Sequence, residues 1–285
     1  MEVEGIIEMF RRSELLYGIK YSNYIGDGDS KTFKGLLDCE AYDNFTVQKK
    51  ECIGHVQKRM GTRLRNLKKN NKGLSGKGKL TGKLIDELAL YYGLAIRRNS
   101  NSVEDMKKEI WATLHHKIST DSKPQHQFCP VGETSRCSYQ KAIATNTLSC
   151  YKHKPPMPDV VFKAVQPIYE ELSKDEVLNR CLGGYTQNKN ESFNANVWAI
   201  APKTQAIGKK TLQIAVDLAV CNFNDGYRRY IQIMEVLNLK IGRNCYQLCE
   251  EYDATHVRKG EKHMSKYAKE ARKSLLAARK EEAGG

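Results

Sequence analysis

The sequence contains no apolar run that approaches the roughly 20 residues a membrane-spanning helix needs, which excludes a transmembrane protein. Residues 1–4 carry no signal-peptide pattern. Cysteine is present, but as an odd number of nine residues at scattered spacings, which does not form a secreted disulfide framework. We therefore expect reduced thiols in the cytosol or nucleus.

Acidic side chains are also in short supply. Asp and Glu number 33 against 47 Lys and Arg, so the formal net charge is +14 and the sequence pI is about 9.3. Such an excess favours a polyanionic partner, most simply nucleic acid, although ribosomal, nuclear and membrane-surface proteins share it. A length of 285 residues suffices for one large domain or two small ones.

The stretch from residue 24 to residue 60 organises the chain. A β-prone run over residues 20–25 ends in Gly-Asp-Gly-Asp-Ser, and Phe33, Leu36 and Leu37 follow at helical spacing. Glycines on both sides of Asp27 allow a tight turn that holds a carboxylate at the carboxyl end of the strand. Asp27 is therefore a candidate Mg²⁺ ligand, and the alternative is a solvated turn.

Residues 50–56 predict a second strand, and the basic run over residues 57–69 predicts a helix with its apolar side chains on another face. A half-buried basic helix at a sheet edge suits contact with phosphate. A Gly- and Lys-rich loop over residues 70–81 adds cations, but it lacks the order G-x-x-x-x-G-K-[ST] of a nucleotide site. The cations expected to contact DNA are Lys58, Arg59, Arg63, Arg65, Lys68, Lys77 and Lys79.

Most of the remaining chain has helical periodicity. Ser102 is a predicted N-cap with Asp105 three residues on. The segments predicted to be helical are residues 4–17, 84–96, 102–114, 159–182 and the chain from 209 onward, with breaks at 224–226 and 241–242. Residues 257–285 predict a solvated basic helix that frays.

The region between residues 115 and 153 is the densest in soft metal ligands. They are His115, His116, His126, Cys129, Cys137, Cys150 and His153. Cys129 and Cys137 close a loop of sequence CPVGETSRC, which allows a zinc site, but the spacing is not that of a standard finger or ribbon. We therefore favour the alternative, buried free thiols.

A second acidic candidate lies far along the chain. The pair Gly183 and Gly184 ends one helix, and Asn188 or Asn190 can cap the next, which places Glu191 in its first turn. A carboxylate there can share a metal with Asp27. The alternative is a Glu that only compensates the helix dipole.

Taken together, these stretches resemble a Mutator-like transposase. The matching pieces are YIGDGDSKTF, ECIGHVQKRMGTRLR, CPVGETSRC and CLGGYTQNKNESFNANVWAIAPK. The resemblance implies an RNase H-like α/β fold whose sheet is interrupted by a helical insertion. It also implies an Asp-Asp-Glu active site that holds two Mg²⁺ (or Mn²⁺) ions. The implied partners are double-stranded DNA, as terminal repeats and target, and a second copy of the chain in the nucleus.

On the matching positions, Asp27 is the second catalytic acid, with Asp29 as the alternative in the same turn, and Glu191 is the third. Cys52 and His55 match a C-x-x-H signature that related transposases carry after the second acid. We expect these two residues to be structural and to tie the second strand to the insertion, and a zinc site shared with Cys129 and Cys137 is one way to do so.

The sequence departs from the family in two places. Arg136 stands where an aromatic residue is expected before the second cysteine of the loop. The first catalytic Asp has no counterpart, because the only acids before Asp27 are four glutamates in or beside the first predicted helix. Since a bridging carboxylate holds the two ions about 3.5–4 Å apart, we expect an amino-terminally truncated, catalytically incomplete member.

The resulting expectation is a truncated RNase H-like core with few strands, a large helical insertion and a helical carboxyl-terminal region, mostly α overall. The expected divisions are residues 1–69 (partial core), 70–182 (insertion), 183–256 (core-completing helices) and 257–285 (basic tail). The alternatives to a strand-transfer domain are a non-catalytic DNA-binding or scaffolding module and a decayed element fragment.

Overall fold

The computed structural model describes residues 2–26 and 30–265. Within these ranges the chain forms 12 α-helices and two short strands, and 64% of it is helical. The mostly α architecture with few strands is therefore confirmed, whereas the RNase H-like assignment of the core stays a prediction. The chain divides into two compact units, Met1–Gln187 and Asn188–Gly285. None of the described helices is long and apolar enough to cross a membrane.

The described part of the first unit contains eight helices and both strands, with short 3₁₀ turns at Lys72–Leu74 and Leu148–Cys150. In chain order the elements are α1 (Glu2–Tyr17), β1 (Asn23–Gly26), α2 (Ser30–Asp38), β2 (Gln48–Glu51), α3 (Ile53–Asn70), α4 (Gly82–Arg98), α5 (Val103–His116), α6 (Ser138–Ala144), α7 (Asp159–Leu172) and α8 (Asp175–Cys181).

The two strands are parallel, and α2 is the crossover between them. Their register pairs Asn23 with Gln48 at one end and Gly26 with Glu51 at the other, so both carboxyl ends meet at one edge. This βαβ unit is the arrangement that parallel pairing requires.

The predicted second strand over residues 50–56 is corrected by the structure. Strand β2 ends at Glu51, Cys52 is the extended N-cap, and α3 begins at Ile53. Ile53 and Val56 are fully buried on one side of that helix. A short apolar run does not distinguish a buried strand from a buried helical turn, which is why the sequence pattern misplaced this boundary.

A small cluster packs α1 and α2 around the strand pair. It consists of Phe10, Leu36, Tyr42 and Val47, all buried. The Tyr42 hydroxyl lies 2.6 Å from the Ser13 hydroxyl and accepts a 2.9 Å hydrogen bond from the Tyr21 backbone N–H. These bonds satisfy polar atoms inside the cluster and tie α1 to the segment that leads into β1.

The main core is built by α3, α4, α5, α7 and α8. Its fully buried side chains include Val56, Met60 and Leu64 of α3, and Leu88 and Tyr92 of α4. One buried cluster thus joins residues on both sides of the predicted division at residue 69. Helices α3 and α4 approach closely at Gly61 and Ala89. A Cβ atom added to Gly61 would lie 3.5 Å from the Ala89 Cβ.

The predicted long helix over residues 159–182 is two helices, because the chain turns at Ser173 and Lys174 between α7 and α8. The Leu172 carbonyl, at the end of α7, accepts a 2.9 Å hydrogen bond from the Tyr92 hydroxyl. This satisfies one of the carbonyls that every helix end leaves unpaired. The predicted Ser102 cap is confirmed, since its hydroxyl accepts a 3.2 Å bond from the Asp105 N–H.

The second unit contains four helices within its described part. They are α9 (Asn188–Ile200), α10 (Lys209–Asp225), α11 (Arg228–Val236) and α12 (Arg243–Met264). The predicted breaks near Gly226 and Gly242 are confirmed. Gly226 adopts φ of 78°, and Asp253 caps the following helix by accepting bonds of 2.7 and 3.1 Å from the Tyr227 and Arg228 N–H groups. Residues 266–285 of the predicted basic tail lie outside the described residues.

One buried carboxylate connects the strand pair to two helices. Glu51, at the end of β2, is only 3% exposed, and it forms ion pairs of 2.9 Å with Arg59 of α3 and 3.6 Å with Arg180 of α8. Removal of one partner from a buried ion pair leaves the other charge uncompensated, which costs far more than the loss of an exposed pair. Glu51 therefore fixes the position of α3 at the carboxyl edge of the strands.

We predict that Glu51→Gln lowers the free energy of unfolding of the first unit by about 2–4 kcal/mol, because two arginines lose their buried partner. The matched control is Asp86→Asn, which breaks the exposed 2.7 Å pair with Arg65 and is expected to cost less than about 1 kcal/mol. Urea unfolding monitored by Trp111 fluorescence, in a Trp198→Phe background, measures both. Equal losses for the two variants would contradict the assigned role of Glu51.

Candidate functional site

The carboxyl end of the strand pair is the first candidate site. Strand β1 ends at Gly26, whose carbonyl accepts a 3.1 Å hydrogen bond from the Cys52 N–H. Asp27 and Asp29, the predicted catalytic acids of this turn, lie outside the described residues. Their position in the chain, directly after a parallel strand, is the position at which open α/β sheets place ligands.

A non-helical segment at the end of the first unit runs along this edge. The Gln187 side-chain amide donates a 2.9 Å hydrogen bond to the Ile25 carbonyl. The Ile53 N–H donates a 3.1 Å bond to the Tyr185 carbonyl, and the Gln187 N–H lies 3.3 Å from the Cys52 sulfur. The segment thus contacts β1 and the start of α3, and it brings chain positions far apart in sequence to the same edge.

Glu191 lies in the first turn of α9, in the second unit, as predicted. An acidic side chain there is favourable to the helix dipole, so this placement agrees with the structural role as well as with the catalytic one. The predicted pairing of Glu191 with Asp27 stays a prediction.

The predicted DNA-contacting arginines of α3 already have carboxylate partners. Arg59 pairs with Glu51, as described above, Arg63 with Glu171 at 2.5 Å, and Arg65 with Asp86 at 2.7 Å. The Arg63 guanidinium holds the pKa of Glu171 below its usual value through this hydrogen bond. These pairs compensate the charge of the arginines, so the helix offers less net positive charge than its sequence indicates.

Three lysines, Lys68, Lys69 and Lys72, lie at and just after the carboxyl end of α3. They line a cavity of about 460 Å³ that we call the cationic cavity. Its lining comprises Arg65, Lys68, Lys69, Lys72, Ser75, Gly82 and Ile85. Within the part of the chain that the structure describes, no carboxylate lies within ion-pair distance of Lys68, Lys69 or Lys72. Positive charge is therefore concentrated here.

Helix α4 begins at this cavity. Thr81 is its N-cap and accepts a 3.2 Å hydrogen bond from the Leu84 N–H, and Gly82 is the first helical residue. The first N–H groups of a helix have no partner inside the helix, and the helix dipole favours an anion at this end. Cations and a helix amino end thus meet at one concave surface, which is the arrangement that binds phosphate.

The two predicted loop cations differ in their surroundings. Both are exposed, but the Lys79 ammonium donates a 2.8 Å hydrogen bond to the Gly73 carbonyl and closes the loop. Gly76 and Gly78 adopt φ of 118° and 78°, which explains the glycines of this stretch. Lys69 and Lys72 also line the cavity, although the list of expected DNA contacts did not include them. They lie in the last turn of α3 and just after it, and this position is the sequence feature that could have identified them.

The structure groups Cys129 and Cys137 with two histidines. Within residues 2–26 and 30–265, one group of metal-ligating side chains has its donor atoms within 4.8 Å of one another, and its members are His116, His126, Cys129 and Cys137. Cys52 and His55, predicted as partners of the two cysteines, lie instead at the start of α3 and are not part of this group.

The distances within this cysteine–histidine cluster are short. The Nδ1 atoms of His116 and His126 are 3.1 Å apart. The Cys137 sulfur lies 3.3 Å from the His126 Nδ1 and 3.7 Å from the His116 Nδ1. The corresponding distances from the Cys129 sulfur are 3.7 and 4.0 Å.

The pKa values of the two thiols shift in opposite directions. A hydrogen bond from Cys129 lowers the pKa of the Cys137 thiol to about 3, and the same bond, together with burial, raises the pKa of Cys129. Burial lowers the pKa of His126, which favours its neutral form. A neutral imidazole and a thiolate are the forms that bind metals.

Arg136, which departs from the family pattern, has a contact of its own. Its guanidinium lies 3.1 Å from a carboxylate oxygen of Glu109, which also pairs with Arg98 at 3.0 Å. The residue therefore links the loop that contains Cys129 and Cys137 to α5.

Residues 1–137 match the family model of the Mutator-like transposase. The matched part contains both strands, α1 to α5, the cationic cavity and the whole cysteine–histidine cluster, and it ends at Cys137. The match supports a Mutator-like transposase, as the resemblance predicted. No curated protein and no solved structure matches the chain.

Proposed function

We propose that this chain is part of a Mutator-like transposase and that its first unit binds double-stranded DNA through the cationic cavity. The family match over residues 1–137 supports the transposase origin. The single observation that supports the location is the set of lysines around the amino end of α4, which have no carboxylate partner among the described residues.

Phosphate contact is the role that fits these side chains. Lys68, Lys69 and Lys72 surround an open concave surface, and lysine is a compact point charge that binds phosphate without demanding a base sequence. Each neutralised phosphate releases counterions, which strengthens binding and makes it depend on salt. The N–H groups at the start of α4 add directed hydrogen-bond donors for a phosphate oxygen.

Arg59 and Arg63 have a different role in this proposal. Arg59 pairs with the buried Glu51, so its replacement is expected to weaken the fold before it weakens DNA contact. Arg63 pairs with Glu171 in a more exposed ion pair, which contributes little to stability. Arg65 lines the cavity while it pairs with Asp86, and both side chains are well exposed, so this pair costs little to exchange for a phosphate.

The reaction that the resemblance implies is phosphodiester strand transfer. Asp27 and Glu191 are the carboxylates proposed to hold Mg²⁺ or Mn²⁺, with Asp29 as the alternative to Asp27. Support for Asp27 comes from β1, which ends at Gly26 directly before it, and support for Glu191 comes from its place in the first turn of α9. The two acids supply two of the three carboxylates of the family pattern, so DNA binding without cleavage is the activity we propose for this chain. A nuclear location and self-association are part of the same proposal.

We predict that Lys68→Gln, Lys69→Gln and Lys72→Gln, combined in one variant, weaken binding to a short labelled DNA duplex by about tenfold or more near 100 mM salt. The slope of log affinity against log salt is expected to fall by about 2–3, because each lysine contacts roughly one phosphate. Fluorescence anisotropy over about 50–200 mM salt measures both quantities.

The matched control removes the same number of charges from exposed lysines elsewhere in the first unit, with Lys108→Gln, Lys141→Gln and Lys154→Gln in one variant. It is expected to retain the wild-type slope within about one unit. An equal loss in both variants would mean that binding follows net charge, and the cavity would lose its assigned role. Salt-insensitive or absent binding by the wild type would overturn the DNA-binding function itself.

A separate prediction concerns cleavage. Nicking of supercoiled plasmid by this chain with Mg²⁺ or Mn²⁺ is expected to be weak or absent, because a two-ion site needs a carboxylate that bridges the ions. Strong nicking that Asp27→Asn and Glu191→Gln each abolish, while the exposed-acid control Glu133→Gln retains it, would contradict this expectation. Such a result would show that the two acids suffice for catalysis.

A further inference from the structure

Residues 118–156 form a segment that hydrophobic burial does not explain. The structure describes this whole segment, and its buried residues are Ser119, His126, Cys137 and Ala142. Only one of them is a simple aliphatic residue. Its regular elements are the short helix α6 and one 3₁₀ turn. A stretch of this length with so little core needs another source of stability, and metal sites are a common one.

The cysteine–histidine cluster lies where this segment meets the core. His116 ends α5, a helix whose buried side chains belong to the main core, whereas His126, Cys129 and Cys137 belong to the segment. Cys137 is also the residue that precedes α6. Close contacts among these four side chains therefore connect the segment to the end of α5.

The distances fit one tetrahedral ion. Zinc binds histidine nitrogen at about 2.0–2.1 Å and cysteine sulfur at about 2.3 Å, so a regular tetrahedron places its donor atoms roughly 3.3–3.8 Å apart. The nitrogen–nitrogen and nitrogen–sulfur distances of the cluster run from 3.1 to 4.0 Å, and the two sulfurs lie within 4.8 Å of each other. Two sulfurs and two nitrogens in this geometry select zinc over Mg²⁺ or Ca²⁺, which prefer oxygen.

A second layer of hydrogen bonds orients the ligand His126. Its Nε2 lies 2.9 Å from the His153 Nε2 and 2.8 Å from the Ser119 hydroxyl. The other nitrogen of His153, Nδ1, lies 2.6 Å from a carboxylate oxygen of Asp121. If His153 donates from Nδ1 to Asp121, its Nε2 accepts from the Nε2–H of His126. The Nδ1 of His126 then carries a lone pair that faces the other three donors, as a metal ligand requires.

We propose that His116, His126, Cys129 and Cys137 bind one structural Zn²⁺ ion, which fastens residues 118–156 to the end of α5. Four protein ligands complete a tetrahedral shell, so the site has no open position for substrate and is structural rather than catalytic. The ion takes the place of a hydrophobic core in this part of the first unit.

The first test is the metal content of the full chain purified without chelators. We expect about one zinc per chain by elemental analysis. Cys129→Ser and Cys137→Ser are expected to lose the zinc, whereas Cys150→Ser, the same chemical change at an exposed cysteine of the same segment, should retain it. Cys52→Ser should also retain it, which separates this ligand set from the one predicted from sequence. Wild-type protein without zinc, or Cys137→Ser with a full complement, would overturn the proposal.

A second measurement does not depend on how the variants fold. After chelation, the wild-type chain is titrated with Co²⁺, and a four-coordinate site with two thiolates should produce intense visible bands together with sulfur-to-metal charge-transfer absorption. Trypsin cleavage within residues 118–156 should rise at least tenfold on zinc removal and return to its initial rate when zinc is restored. Octahedral Co²⁺ absorption, or unchanged cleavage, would count against the site.

Thiol titration in denaturant covers the remaining explanation, a disulfide between Cys129 and Cys137. Nine free thiols are expected, since all nine cysteines are free in the structure. Two fewer would indicate a disulfide in place of the metal and would overturn the proposal. These readouts do not involve DNA, so their failure is distinguishable from failure of the proposed DNA binding.

Discussion

The burial of one face of α3 is the constraint on which the rest of the first unit depends. Ile53, Val56, Met60 and Leu64 are fully buried between α4 and α7 and leave no freedom in the rotation of this helix about its axis. Because its polar face is basic, the cations must then face outward. At the carboxyl end of β2, Glu51 forms ion pairs with Arg59 of α3 and Arg180 of α8. These pairs fix the position of the strand relative to the basic helix and the core.

The basic side chains on and after α3 fall into two groups, those that form ion pairs with carboxylates and those that do not. The arginines lie beside acidic side chains of β2, α4 and α7 and form ion pairs with them, which stabilises the packing of the first unit. Lys68, Lys69 and Lys72 lie beyond the reach of these acids, at the end of the helix and just after it. Net positive charge therefore accumulates at the amino end of α4, where it coincides with the positive end of a helix dipole.

The cysteine–histidine cluster illustrates a second way to order a chain. The α3 to α5 region gains its stability from large apolar side chains, as expected from the hydrophobic effect. Residues 118–156 have almost none of these inside, and their buried residues are Ser119, His126, Cys137 and Ala142. Hydrogen bonds that link Asp121, His153 and His126 fix the orientation of these side chains, which non-directional apolar packing does not do.

Much of the local structure followed from the sequence. Helical periodicity identified α1, α4 and α5, the Ser102 cap and the glycine breaks of the second unit, because these features depend on neighbours within one or two turns. The basic charge and the sequence motifs also predicted the transposase resemblance that the match over residues 1–137 supports. Only the tertiary structure decided that β2 ends at Glu51, which arginines are already paired, and that Cys129 and Cys137 lie beside His116 and His126 rather than Cys52 and His55. Those outcomes depend on contacts between residues far apart in the chain, and the spacing of residue types within a segment contains no information about such contacts.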